Sequence, residues 1–322
     1  RNTAHWMIIC GEISNLDVSA AEFIDLSINK FQQDISNVGP YMARDSIKDK
    51  SNGLIGTAWI AEGLCEVENL SSEQTDIVVE LTRTLLSIYP FDIDLGVWPN
   101  VVEPNGKLVG IDRTFNHQLW MAASHAPFIH SERDELLKER IQLFVETVGK
   151  LIKINLLGAV YHTIGIYPHY YRTLMKRMIK PSYRRDMQVK EWGYHAFNLL
   201  GIVRILKYKK DELLYSKLIQ LTKLCDNEIF WDMQQGNIYG THYNPVGIEV
   251  AVARDFLGYS IESVCEALNF HFDECFSSQK FSFQSDFDQA TLNARLYEMK
   301  YLTKETKSHL LFAPKSNRWS CK

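Results

Sequence analysis

The segment Asp-Arg-Thr-Phe-Asn-His-Gln-Leu-Trp, residues 112–120, places several hydrogen-bonding side chains directly before an apolar helical stretch. Asp112 is our first candidate for acid/base chemistry. A carboxylate at a helix N-terminus tends to ionise, whereas burial beside apolar residues and other acids raises its pKa towards an acid/base role. The sequence alone leaves three alternatives for Asp112: an ionised carboxylate, a carboxyl group of raised pKa, or a purely structural N-cap. Asn116 and His117 follow about one turn later and are predicted to share one face with Asp112.

A second candidate group lies in the segment Glu-Trp-Gly-Tyr-His-Ala-Phe-Asn, residues 191–198. Glu191 and His195 are four positions apart, a spacing that places both side chains on one helical face. Such a pair predicts an imidazole oriented for proton transfer, with a buried structural histidine as the alternative. Trp192 and Tyr194 are predicted to stack against a sugar ring, unless they belong to the core.

A third candidate group surrounds Pro245, a residue that suits the first turn of a helix. Three side chains that can bind a polar ligand precede this proline: His242, Tyr243 and Asn244. Glu249 lies inside the same helix and is the predicted second carboxylate. A buried glutamate without a partner is costly, so an interior Glu249 must be paired or functional. Asp286 and Asp288 are further candidates, with capping and solvation as the alternatives.

Residues 169–186 are strongly basic in a chain that is otherwise slightly acidic. The cations of this segment are Arg172, Lys176, Arg177, Lys180, Arg184 and Arg185, and the first acid is Asp186. The pattern predicts a lid that recognises an anionic ligand such as a uronic acid, a phosphate or a sulfated glycan. A solvated surface is the alternative, and one basic segment is weak evidence for nucleic acid.

Two classes of helix are predicted, and they alternate along the chain. Amphipathic helices with one charged face, typical of an outer layer, are predicted at 20–35, 73–89, 131–157, 210–230, 260–276 and 303–313, with Ser71–Ser72 and Ser131 as caps. Helices that begin with polar residues and continue with small and apolar ones are predicted at 52–64, 112–124, 191–206, 242–257 and 286–299. A helix that is apolar on most sides is normally interior.

The alternation predicts repeated antiparallel helical hairpins. Five or six hairpins close into a ring, so we expect an all-α fold: a single (α/α)-barrel domain over residues 1–322, a toroid with one small β-hairpin insertion. The hairpin is predicted over 95–112, around Pro104-Asn105-Gly106. In such a ring the inner helices point the same way, so their polar N-termini gather at one rim and form a ligand-binding funnel.

The composition narrows the function classes. The chain has 46% hydrophobic residues, 23% charged residues and a net charge of -4, which gives no global argument for nucleic acid or a membrane surface. No apolar run approaches the ~20 residues of a membrane helix. The six cysteines are scattered, as expected for reduced thiols in a cytoplasmic protein. The chain begins at Arg1 without an initiator methionine, and a trimmed N-terminus stays open.

Motifs for cofactors and metals are not evident in the sequence. The chain has no glycine-rich nucleotide loop, no Gly-x-Ser-x-Gly elbow and no His-Glu-x-x-His pair. His117, His125 and His130 are spaced by eight and five positions, which fits no compact metal triad on one helix face. We therefore expect neither a metal nor a cofactor.

The segments Asn-Gly-Leu-Ile-Gly-Thr-Ala-Trp, residues 52–59, and Ile-Asp-Arg-Thr-Phe-Asn-His-Gln-Leu-Trp-Met-Ala-Ala, residues 111–123, resemble inner helices of (α/α)6-barrel carbohydrate-active proteins. The resemblance is to the unsaturated glucuronyl and rhamnogalacturonyl hydrolases. In those enzymes an inner-helix Asp, followed by a Met-Ala type sequence, acts as general acid and base in hydrating a vinyl-ether double bond. The resemblance implies this role for Asp112, ahead of Met121. It extends to the Agl-cluster Q type of proteins, which are encoded with glycan-assembly genes.

Taken together, these features predict an enzyme that acts on a uronic acid-containing, anionic saccharide, with hydrolysis as the first choice. Asp112 is the predicted general acid/base, His117 and His195 assist, and Glu249 is the second carboxylate. The predicted substrate-binding residues are Arg113, Asn116, Trp192, Tyr194, His242, Tyr243, Asn244 and Arg184. Arg113 or the basic segment would bind the sugar acid.

Other functions stay open at this point. A uronate epimerase or lyase in surface-polysaccharide biosynthesis needs a base and an acid on opposite faces of the sugar, which His195 and Tyr243 would supply. A toroid that binds glycans or partner proteins without catalysis would lack an acid of raised pKa. A terpenoid-type cyclase has a similar ring, but the polar rim predicted here argues against it.

Overall fold

The computed structural model describes residues 2–38, 53–101, 108–313 and 318–321. The chain divides into two compact units, Arg1–Gly149 and Lys150–Lys322. Both are mostly helical with short β-hairpins, which confirms the predicted all-α class. The toroidal ring and the single domain stay predictions.

The described part of the first unit contains helices and a β-hairpin. Within the described residues, the helices that begin in this unit are α1 (Asn2–Ile13), α2 (Val18–Val38), α3 (Gly53–Glu66), α4 (Ser72–Ile88), α5 (Phe115–His125) and α6 (Glu135–Leu151). Strands β1 (Pro99–Val101) and β2 (Leu108–Ile111) pair antiparallel directly before α5. Strand β2 therefore delivers the chain to the start of the helix that carries the first candidate group.

Helix α5 occupies the core of the first unit, as the sequence predicts for an interior helix. It packs on α3, where Trp59 and Trp120 meet at 6.3 Å in a T-shaped arrangement. Ser124 Oγ donates to the Ala58 carbonyl at 2.9 Å. Because α5 is held on one side by α3 and preceded by β2, its N-terminus has a defined position.

The second unit is also mostly helical, and its interior is formed by apolar helices. Its helices are α7 (His169–Ile179), α8 (Pro181–Gly193), α9 (His195–Tyr208), α10 (Glu212–Thr222), α11 (Glu228–Asp232), α12 (Val246–Phe256), α13 (Ile261–Cys275), α14 (Gln289–Ala294) and α15 (Lys304–His309). Helices α9 and α12 are buried along most of their length. Helices α12 and α13 pack so closely that a Cβ atom at Gly247 would overlap the Ala267 carbonyl oxygen.

Short antiparallel hairpins complete the second unit. Strands β3 (Phe276–Ser277) and β4 (Ser282–Phe283) form one, and β5 (Leu310–Ala313) and β6 (Arg318–Cys321) form another. The sequence predicted neither. The predicted hairpin over 95–112 exists as β1 and β2, whereas its expected turn at 104–106 lies outside the described residues.

Several predicted helix boundaries are wrong, and local chemistry explains them. Ser131 does not cap α6; its hydroxyl donates to Asp134 Oδ2 at 2.6 Å, and the helix begins at Glu135. The predicted helix 191–206 is interrupted at Tyr194. The predicted helix 303–313 ends at His309 and continues as β5. Ser71 caps α4 as predicted, in a capping box with Gln74.

Candidate functional site

Asp112 and His117 form a hydrogen-bonded pair at the start of α5. The Asp112 Oδ2 atom lies 2.9 Å from His117 Nδ1, and Oδ1 accepts a hydrogen bond from the Thr114 backbone amide at 2.9 Å. The second bond forms a tight turn between β2 and α5, so Asp112 does not cap the helix, whose N-cap is Thr114. The contact brings Asp112 and His117 together as predicted, although Asp112 precedes the helix and does not lie on its face.

Gln118 fixes the backbone on which this pair is built. Its side-chain amide donates to the carbonyls of Trp98 at 2.6 Å and Asp112 at 2.8 Å. Its Oε1 atom accepts from the Trp98 amide at 2.8 Å. Because Gln118 is completely buried, these bonds hold the Asp112 backbone in place. Sequence reasoning missed this role, although a glutamine inside an apolar helix signals a buried amide that needs partners.

The environment of Asp112 favours its ionised form. Burial alone would raise the pKa of Asp112, but the nearby His117 and the hydrogen bonds from Thr114 outweigh it and hold the pKa below its usual value. The Asp112 side chain is 6% exposed, whereas that of His117 is 25% exposed. The carboxylate is therefore an interior anion, and the imidazole is the member of the pair that reaches the surface.

The other two candidates of this segment differ in exposure. Arg113 is exposed and directly follows Asp112. Asn116 is buried, and its Oδ1 atom has no hydrogen-bond donor among the described residues. Arg113 can thus meet an anionic ligand near the Asp112–His117 pair, whereas the Asn116 side chain is not exposed to such a ligand.

In the second unit, partly exposed rings gather at the break between α8 and α9. We call His162, Tyr194, Tyr239 and Tyr243 the tyrosine cluster. His162 stacks on Tyr194 with ring centroids 5.7 Å apart and an angle of 19° between the planes. Tyr194 also lies 5.3 Å from Tyr239 and 6.5 Å from Tyr243. Partly exposed rings of this kind offer apolar faces with polar edges, which suits a sugar ring.

Glu191 lies beneath the tyrosine cluster and anchors it. Its carboxylate accepts hydrogen bonds from Asn155 Nδ2 at 3.2 Å and the His162 amide at 3.3 Å, and it pairs with Arg177. Burial raises the pKa of Glu191 although these partners oppose it. The predicted Glu191–His195 pair is wrong, because these partners occupy the Glu191 carboxylate and His195 contacts the Leu221 carbonyl instead.

His195 and Trp192 are both interior residues. His195 is 0% exposed, and its Nε2 atom lies 3.0 Å from the Leu221 carbonyl. Burial lowers the pKa of His195 to about 4, so the ring is neutral at ordinary pH. Trp192 is buried against Phe230, with centroids 6.2 Å apart. The catalytic role of His195 and the sugar-stacking role of Trp192 stay predictions.

Glu249 belongs to a buried ionic group that the sequence did not predict in full. Arg295 pairs with Glu249, and its Nε atom donates to Glu298 Oε1 at 2.6 Å. All three side chains are 0% exposed. Burial raises the pKa of Glu249 to about 7, against the opposing attraction of Arg295. Glu249 is thus interior and paired, which is one of the two alternatives predicted for it. The spacing of three between Arg295 and Glu298 indicated their own pairing, but not the pairing of Arg295 with Glu249.

Asn244 connects this ionic group to the tyrosine cluster. Its Oδ1 atom accepts from Arg295, and its Nδ2 atom donates to the Tyr239 carbonyl at 2.6 Å and to the Gly193 carbonyl at 3.4 Å. Asn244 therefore holds the backbone on both sides of the cluster. Asn244 is buried, and its predicted contact with substrate stays a prediction.

The remaining candidates lie nearer the surface. His242 is half-buried beside Phe287, with centroids 6.3 Å apart, and Arg184 is exposed on α8. Asp288 caps α14, in agreement with the capping role given above as the alternative to a catalytic one. Asp286 is exposed. Among the residues that the structure describes, no three His, Cys, Asp or Glu side chains converge on a site for a metal ion. Over the same residues no helix combines the length and apolarity needed to cross a membrane.

Comparison with known proteins gives one clear similarity. No family model matches the chain. The chain is 26% identical to archaeal glycosylation protein Q of Haloferax volcanii, over 79% of this chain and 74% of that protein. The predicted resemblance to Q-type proteins is confirmed to this extent, whereas the resemblance to the unsaturated glucuronyl and rhamnogalacturonyl hydrolases stays a prediction.

Proposed function

We propose that this chain acts on a saccharide during glycan assembly, with His117 as the proton-transfer group and Asp112 as the group that orients it. Similarity to archaeal glycosylation protein Q supports the saccharide. The observation that carries the chemistry is the 2.9 Å contact between the buried Asp112 carboxylate and the more exposed His117 ring.

In this proposal the contact leaves Nε2 as the available imidazole nitrogen of His117. Because the pKa of Asp112 is lowered, its carboxylate is ionised and accepts a hydrogen bond from His117 Nδ1. The lone pair then resides on Nε2, which can take a proton from a sugar hydroxyl or an attacking water. The carboxylate stabilises the imidazolium that forms. Our proposal thereby exchanges the two roles predicted from the sequence, in which Asp112 was the acid/base and His117 assisted.

The substrate in this proposal is an anionic saccharide, such as one containing a uronic acid. Arg113 supports this choice, because an exposed guanidinium beside the Asp112–His117 pair can bind a sugar carboxylate in a bidentate manner. Within the second unit, the tyrosine cluster offers ring faces on which a sugar could stack. We retain the (α/α) toroid of a single domain in this proposal as the arrangement that would gather inner-helix N-termini at one rim.

Hydrolysis is the reaction we propose first, with one water added across the bond that breaks. A uronate epimerase or lyase remains the chemical alternative, and its products differ in mass and in deuterium content. Glycan binding without catalysis is favoured by one observation: Glu191 and Glu249 are both buried and ion-paired. A mechanism that needs a second free carboxylate is less well supported than one that relies on the Asp112–His117 pair.

The test is a panel of saturated and unsaturated uronic acid-containing oligosaccharides, with neutral oligosaccharides for comparison, followed by mass spectrometry. We expect a gain of water or a released sugar from the anionic members. His117→Gln and Asp112→Asn should each reduce turnover by roughly 10²–10⁴-fold. His130→Gln is the matched control at an exposed histidine of the same unit and should retain activity. Binding to the panel without any product in the parent protein would contradict the enzymatic proposal.

A further inference from the structure

Helix α7 carries an apolar stripe on its exposed side. Four of its side chains are largely exposed: Tyr171 by 59%, Met175 by 55%, Met178 by 78% and Ile179 by 69%. Tyr167, which precedes the helix, is 77% exposed and contacts the Tyr171 ring at 5.8 Å. Within the helix, steps of four, three and one residues place the four side chains along a single face. Isolated exposed apolar residues are common, but a continuous stripe of four marks an interaction surface.

The opposite side of α7 is attached to the second unit. Arg177 pairs with the buried Glu191 and lies over the Tyr161 ring, with Cζ 4.6 Å from the ring centroid. Tyr170 contacts the same ring at 5.7 Å. Arg177 is two positions from Met175, about 200° around the helix. The apolar stripe therefore faces away from the unit while these contacts hold.

Positive charge borders the apolar stripe. Five exposed cations lie on α7, on α8 and at the junction of the two helices: Arg172, Lys176, Lys180, Arg184 and Arg185. No acid occurs between residues 169 and 185. This local excess contrasts with the net charge of -4 for the chain. A partner for this surface must accept aliphatic side chains and carry negative charge at the same time.

We propose that α7 docks on an anionic lipid surface, lying in the plane of the interface. Met175, Met178 and Ile179 would enter the boundary between headgroups and acyl chains, as amphipathic interfacial helices do. The exposed tyrosines suit the depth of the headgroups, and the cations contact acidic headgroups. Nucleic acid would use the cations but offers little to the aliphatic side chains, so a bilayer fits better. This inference is independent of the proposed reaction.

The test is flotation of the full chain with vesicles of phosphatidylcholine alone and with about 30 mol% phosphatidylserine. We expect binding to the anionic vesicles, decreasing as salt rises, and little binding to the neutral ones. Arg172→Gln combined with Lys176→Gln should weaken binding by about tenfold or more. Met175→Ser combined with Met178→Ser should do so as well. All four positions are exposed, and circular dichroism should show unchanged helix content.

Matched controls separate this surface from general charge and hydrophobicity. Lys210→Gln combined with Lys223→Gln makes the same charge change at exposed sites elsewhere, and Leu213→Ser combined with Ile229→Ser makes a similar apolar change. Both should bind as the parent does. Equal binding to neutral and anionic vesicles, or binding unaffected by the α7 variants, would overturn the proposal. Binding to a single-stranded oligonucleotide without vesicle binding would do the same, as would a dimer lost in the methionine variant.

Discussion

At the scale of single residues, Asp112 should stabilise the fold in a defined pH range. Its folded pKa lies below the usual value of 3.8, so its contribution is complete above that value and is lost as pH falls through the folded pKa. Asp112→Asn should lower the free energy of unfolding by about 1–3 kcal/mol at about pH 7. The loss should shrink at about pH 2. Urea denaturation at both pH values measures this.

Asp94→Asn is the control for this experiment, because Asp94 is exposed in the same unit. It should change stability little at either pH. A loss for Asp112→Asn that is the same at both pH values would show that the carboxylate is not the stabilising charge.

The stability contribution of Glu249 should fall as pH rises, which is the opposite of the pH dependence expected for Asp112. Burial raises its pKa from 4.5 to about 7, so the stability present below pH 4.5 is lost as pH rises to about 7. Glu249→Gln keeps an oxygen acceptor for Arg295, and Glu298 still pairs with that guanidinium. We expect the variant to lose less stability than the parent between about pH 5 and pH 8, as measured by urea denaturation.

Glu266→Gln, at an exposed glutamate of the same unit, should follow the parent over this range. Parallel pH profiles for the parent and Glu249→Gln would contradict the raised pKa of Glu249.

The sequence identified segments rich in polar side chains, but it did not determine their partners. The prediction held for Asp112 and His117 because one short turn at Thr114 brings them together. It failed for Glu191 and His195, because each side chain binds a partner elsewhere in the chain: Arg177 pairs with Glu191, and the Leu221 carbonyl contacts His195. Arg295 was missed because its contact with Glu249 spans 46 positions, and no local pattern reports such a distance.

At the scale of elements, close approach of α12 and α13 depends on a residue without a side chain. A Cβ atom at Gly247 would overlap the Ala267 carbonyl and lie 2.6 Å from the Cβ atom of His271. Gly247→Ala should therefore push the helices apart and destabilise the protein by about 1–3 kcal/mol, although alanine favours the helix itself. Thermal denaturation should show a lower Tm.

Ser216→Ala, at an exposed position of α10, is the control for helix propensity and should change Tm little. An unchanged or higher Tm for Gly247→Ala would contradict the close contact of α12 and α13.

Helices with one apolar face were the elements best predicted from the sequence. The predicted segments at 20–35, 73–89 and 260–276 correspond to α2, α4 and α13, because burial of one face imposes a period of 3.6 residues. The C-terminal segment 303–313 was harder, since its last four residues pair with β6. Pairing between strands depends on tertiary context that a local period does not contain.

At the scale of the whole molecule, the prediction of a single domain has a direct thermodynamic consequence. One cooperative domain should unfold in one transition, with tryptophan fluorescence and far-ultraviolet circular dichroism giving coincident curves. The seven tryptophans provide the fluorescence signal. Two separated transitions in urea would show that Arg1–Gly149 and Lys150–Lys322 unfold independently, and would contradict the single domain.

Alternation of outer-type and inner-type helices was the sequence evidence for a ring. Burial of α3, α5, α9 and α12 agrees with their predicted interior character. A ring closes only if every pair of neighbouring hairpins packs correctly, whereas the hydrophobic pattern of one helix reports only which of its faces is buried. The pattern therefore predicts which helices are interior and which are exterior, but not whether they form a ring.

We propose that His117, oriented by Asp112, transfers a proton during hydrolysis of an anionic saccharide. The most direct measurement repeats the oligosaccharide panel in water enriched in oxygen-18, with the parent protein and His117→Gln side by side. We predict a product that carries one heavy oxygen in the parent reaction and is formed at least about 100-fold more slowly in the variant. The same labelled product at an undiminished rate in His117→Gln would contradict this role of His117.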